Sequence, residues 1–79
     1  MNRKLVLENL IEVFKKVFEI DSLELKEEDS FKDIEQWDSL THIMIVVELE
    51  KKFEIKFLSS ELASWKKIGD IVNSICLKK

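Results

Sequence analysis

Proline is absent from this chain, and glycine occurs once, at Gly69. Without those punctuators a many-turned β architecture is disfavoured and helices are favoured. A single cysteine, Cys76, leaves no partner for an intramolecular disulfide, which excludes a disulfide-stapled framework and suits a reducing compartment. One histidine, His42, beside that one cysteine also excludes a zinc site of ordinary Cys and His ligands, and no metal is expected. No apolar run is long enough to span a bilayer. The opening MNRKLVLENL is broken by Glu8 before the core of a signal peptide can form, so a cytoplasmic protein with no membrane partner is expected. Positive charge is not in excess: 13 Lys and Arg against 16 Asp and Glu give a formal charge of -3, which argues against nucleic-acid binding.

What is present fits one small helical domain, residues 1–79. The chain is 46% hydrophobic and 37% charged, a balance that belongs to a folded rather than a disordered chain. From Asn2 to Phe18 the residues Leu7, Leu10, Ile11, Phe14, Val17 and Phe18 recur at helical spacing, with charged residues between them. Residues 19–37 lose that period but keep Ile20, Leu23, Leu25, Phe31 and Ile34 as spaced anchors, which predicts a long ordered loop pinned to a core. Ser30, three residues before Asp33, resembles a capping box able to start one turn. A second helix is expected from Ser39 to about Phe53 with Asp38 as its N-cap, then a connector 54–58 and a short helix in SSELAS. The last helix carries Ile68, Ile71, Val72 and Ile75 on one face, with Asp70 in its first turn and Cys76 packed toward the core. The fold class is therefore all-α: a small four-helix bundle with three main helices, a short third helix and a long first loop.

The second helix is apolar on two sides. At about 100° per residue, Ile45, Val46, Leu49 and Phe53 form one stripe, while Leu40, Ile43, Met44 and Val47 form another. One stripe suffices to dock a helix in a small bundle. The second is covered in part by the long loop, left as a docking face, or both. Ser39, at the first position of the helix, is expected to be exposed. The unpaired N–H groups and positive dipole end there tolerate an anion, although an Asp-Ser helix start also occurs without any such role.

Catalytic apparatus is missing. His42 falls on the side of Ile45 and Leu49, where a partly buried, hydrogen-bonded role suits it better than general base, and no third group is evident to orient its ring toward Ser39. The acids between positions 21 and 32 fail as a calcium loop, because Leu23 takes the third ligand place and no glycine stands at the sixth. No enzyme activity is expected.

The tripeptide Asp38-Ser39-Leu40, opening the second helix of a four-helix domain of this length, resembles the acyl carrier protein family. The resemblance extends over the first helix, the loop with Phe31 eight residues before the serine, the stretch WDSLTHIMIVVELEKKF, the short third helix and IGDIVNSI. It implies that Ser39 carries 4'-phosphopantetheine, attached from coenzyme A by a phosphopantetheinyl transferase, and that the thiol of the arm holds acyl, aminoacyl or polyketide-type intermediates as thioesters. Asp38 would cap the helix and help the transferase recognise it. Leu40, Ile43, Met44 and Val47 match positions beside the arm, where partner enzymes dock and a cargo chain tucks in, and Trp37 joins that face or packs on the helix start.

The chain departs from the common fatty-acid type. Gln36 and Trp37 replace a Gly-x pair, Met44 stands where an acid is frequent, Lys51 reverses another charge, and Ile34 lies five residues before the serine instead of four. These changes resemble specialised stand-alone carriers served by a dedicated acyl or aminoacyl ligase or synthase, and they predict docking that salt weakens little. A monomer is expected. The alternative from another class is an unmodified helical interaction domain that binds a partner through the Leu40, Ile43, Met44 and Val47 face. Self-association through the same stripe is a third reading.

Overall fold

The first helix, α1 (Arg3–Phe18), begins where Asn2 leaves extended backbone and its Oδ1 accepts from the N–H groups of Lys4 at 2.7 Å and Leu5 at 3.4 Å. It ends where Glu19 turns left-handed at φ 57°, and the N–H of Ile20 bonds back to the carbonyl of Lys15 at 3.1 Å. In the computed structural model, which describes residues 2–34 and 37–78, this is followed by a long loop containing one 3-10 turn (Phe31–Asp33). Three further helices complete the bundle: α2 (Ser39–Phe53), α3 (Ser59–Ser64) and α4 (Ile68–Lys78). The fold is all-helical, as the spacing predicts. Gln36, one of the residues that distinguish the motif, lies outside the described residues.

The core face of α1 is rotated from the expected one. Val6, Leu10, Val13 and Phe14 are buried, while Leu7, Ile11, Val17 and Phe18 pack against the core from its edge. The apolar sector of this helix is wider than the surface its neighbours cover, and contacts with α2 and α4 select its centre. From α2 come Ile45, Leu49 and Phe53, and from α4 come Ile68, Ile71, Val72 and Ile75. Trp65, at the end of α3, closes one side of this core.

The loop is ordered over residues 19–34 because it is laced to the α3–α4 connector and the start of α4. The N–H of Phe31 donates to the carbonyl of Lys66 at 3.2 Å, and those of Ile68 and Gly69 donate to the carbonyls of Asp29 at 2.9 Å and Glu27 at 2.8 Å. At Gly69 a side chain would meet backbone, since a Cβ there would stand 3.1 Å from the Glu27 carbonyl oxygen. Leu25 is buried, and Leu23, Phe31 and Ile34 lean on the core, which makes the loop part of the fold. Ser30 caps the 3-10 turn, its Oγ accepting from the N–H of Lys32 at 3.3 Å. A side-chain bridge from Arg3 to both Glu27 and Asn73 ties the start of α1 to the loop and to α4.

Candidate functional site

Asp38 fixes the start of α2. Its backbone is extended, at φ -132° and ψ -176°, while its Oδ1 accepts from the N–H of Thr41 at 2.8 Å and its carbonyl accepts from the N–H of His42 at 2.9 Å. The bond from the Thr41 N–H holds the Asp38 carboxyl below the usual carboxylate range, so the cap stays ionised at neutral pH. Ser39 follows as the first residue of this 15-residue helix, and it is exposed. Its hydroxyl therefore stands at the positive end of a helix dipole and in solvent. Among the other exposed hydroxyls, Ser59 and Ser60 also open a helix, but that helix has only six residues.

The second stripe of α2 is left open. Leu40 is 67% exposed, Ile43 60%, Met44 44% and Val47 43%, which overturns the reading in which the long loop folds over them. Ile43, Met44 and Val47 form one wall of a groove of about 250 Å³ whose other wall is Lys16 and Val17 of α1. Lys16 is held there by Glu48, Nζ to Oε2 at 3.0 Å, and that bond keeps the Glu48 carboxyl below its ordinary range. The floor of the groove is thus apolar with a neutralised rim. Sequence spacing did not reveal this pair, because it joins two helices whose relative rotation only the packing fixes.

Trp37 stands apart from those four residues. Its ring stacks on Phe31 at 4.3 Å with an interplanar angle of 9°, meets Phe14 edge-on at 5.1 Å and lies tilted against His42 at 5.6 Å. It packs over the helix start on the core side. His42 lies between Trp37 and Trp65, with ring centroids 6.0 Å apart in the second pair, and burial pushes its pKa down. His42 is partly buried, as expected, and among the described residues its ring contacts are Phe31, Trp37 and Trp65. Among those residues, too, no three His, Cys, Asp or Glu side chains gather as a metal site.

The family described as "Phosphopantetheine attachment site" matches residues 8–75, which includes the whole of α2 and its cap. The chain belongs to this family of phosphopantetheine-dependent carriers. It is 31% identical to the acyl carrier protein of Acidothermus cellulolyticus over 95% of its own length and 89% of that protein's. It is 38% identical to the D-alanyl carrier protein of Streptococcus uberis over 89% of its length and 90% of the relative's. The solved holo acyl carrier protein from Geobacter metallireducens superposes with a TM-score of 0.84 at 40% identity, over 91% of this chain and 83% of that one. Proteins of this family carry intermediates rather than transform them. The start of α2 fits the covalent group: an exposed hydroxyl faces solvent at a helix N-terminus, and the adjacent carboxylate is engaged by the Thr41 N–H.

Proposed function

We propose that residues 1–79 act as one carrier domain whose Ser39 bears 4'-phosphopantetheine. The observation that carries this reading is the exposed Ser39 hydroxyl at the first position of a 15-residue helix capped by Asp38, inside the matched segment 8–75. Attachment at Ser39 Oγ forms a phosphodiester, breaks the pyrophosphate bond of coenzyme A and releases adenosine 3',5'-bisphosphate with the hydroxyl proton. When attached, the arm supplies a thiol that holds cargo as a thioester. Everything else is the work of the chain: Asp38 holds the helix start, the N–H groups and dipole of the first turn favour the phosphate, and the α2 face presents it to enzymes.

The partners on this reading are a phosphopantetheinyl transferase and a dedicated acyl or aminoacyl ligase or synthase. Leu40, Ile43, Met44 and Val47 supply the docking surface, since they are the open apolar residues beside Ser39. Met44 and Lys51 make that surface less acidic than a fatty-acid carrier's, which supports a dedicated pathway. The D-alanyl carrier relative brings aminoacyl cargo within this proposal. The domain itself is not an enzyme, works as a monomer and resides in the cytoplasm. Among the described residues no helix is long and apolar enough to cross a membrane.

Incubation with coenzyme A and a broad-specificity transferase, followed by intact mass measurement, tests the attachment. The wild type gains the phosphopantetheinyl mass and Ser39→Ala does not. A wild type that gains nothing leaves the unmodified interaction domain as the better reading.

A further inference from the structure

A row of rings runs past one side of α2 through His42. Phe31 stacks on Trp37, Trp37 meets His42 at 5.6 Å, His42 meets Trp65 at 6.0 Å, and Trp65 meets Phe57 edge-on at 4.9 Å. His42, in the middle of this row, lies three residues after Ser39, one turn into the helix that opens at the proposed attachment point. The row is pinned at Trp65, which is 6% exposed and whose Nε1–H donates to Ser74 Oγ of α4 in a buried 2.9 Å bond. Swinging that indole aside to admit an apolar chain would break the bond and open a packed core. The open apolar surface near Ser39 lies elsewhere, in the shallow groove between α1 and α2.

We infer that this carrier keeps its cargo outside the bundle, and that its cargo is a short or polar acyl group, of the size of an amino acid or a small acid, rather than a long alkyl chain. The inference rests on Ser39 as the attachment point. The shallow groove of Val17, Ile43, Met44 and Val47 covers only one side of a long alkyl chain held outside the bundle, so the methylenes stay partly in water at a penalty that grows with each carbon, whereas a short or polar group has little apolar surface to hide. Discrimination by the fold is therefore against length.

Loading the protein with acetyl-coenzyme A and, separately, octanoyl-coenzyme A through a promiscuous transferase tests this. Intact mass first verifies each product, and a protein that accepts neither overturns the attachment reading and this inference together. For loaded protein, the Trp65 indole N–H and His42 backbone resonances are expected to coincide in the acetyl and octanoyl forms, and the two forms to melt at the same temperature. Octanoyl-specific shifts at Trp65 and His42 with a raised melting temperature overturn the inference while leaving the attachment intact. Phe57→Ala, which removes a half-buried ring from the end of the row, is expected to create those octanoyl-specific shifts. A variant that still shows none contradicts the claim that the rings exclude the chain.

Discussion

His42 is the residue whose surroundings the sequence described least well. Helical spacing placed it on the core side of α2, but only the packing brings Phe31, Trp37 and Trp65 around it. Burial lowers its pKa below the unfolded value of 6.5. The unfolded chain then binds the proton more readily, so this contribution to stability is complete above pH 6.5 and is lost as the pH falls toward the folded value. His42→Phe is expected to lose less thermal stability than the wild type between about pH 7.5 and about pH 5.5, measured by circular dichroism melting. Equal losses in the two proteins would remove His42 from the account. Ser39 and Asp38, by contrast, were legible from three letters, because a cap and the residue after it are local features that tertiary contacts do not rearrange.

At the scale of elements, α2 has a buried face and an open one, and the two respond differently to substitution. Leu49 is completely buried, so Leu49→Ala is expected to cost about 3 kcal/mol in denaturant unfolding. Val47 is 43% exposed, so Val47→Glu is expected to change stability by less than about 0.5 kcal/mol while weakening docking of the loading enzyme. The two stripes were readable from periodicity, yet which one lay open was not, since that depends on where the long loop runs. The ends of the helices carry another consequence. Both α1 and α2 finish on a glutamate in left-handed backbone, Glu19 at φ 57° and Glu54 at φ 55°, where glycine is the unstrained choice. Glu54→Gly is expected to stabilise the domain by about 0.5–1 kcal/mol, read as a shift in denaturant midpoint with unchanged slope.

For the whole molecule, long-range ties replace the turns that proline and glycine would otherwise make. The loop is held by backbone bonds to residues 66, 68 and 69 and by the Arg3 bridge, partners separated from it by tens of positions, which is why its order but not its path could be anticipated. The same separation hid Val6 and Val13 among the other apolar residues of α1. The surface that results has an open apolar stripe bordered by a neutralised Lys16–Glu48 pair instead of a run of acids. Affinity for the proposed loading enzyme, measured by calorimetry, is therefore expected to fall less than about threefold when salt rises from about 0.05 M to about 0.5 M. A steep loss would restore an electrostatic docking mode.

The central claim is that one exposed serine at the start of α2 carries the arm. Treating the protein with coenzyme A and a transferase, digesting it with trypsin and locating the added mass tests this most directly. Cleavage after Lys32 and Lys51 isolates a peptide of residues 33–51, in which Ser39 is the only serine. The account predicts that the phosphopantetheinyl mass resides on that peptide, fragments to Ser39 and is absent from Ser39→Ala. Added mass on a peptide containing Ser59 and Ser60, or mass that survives the Ser39→Ala substitution, would contradict it.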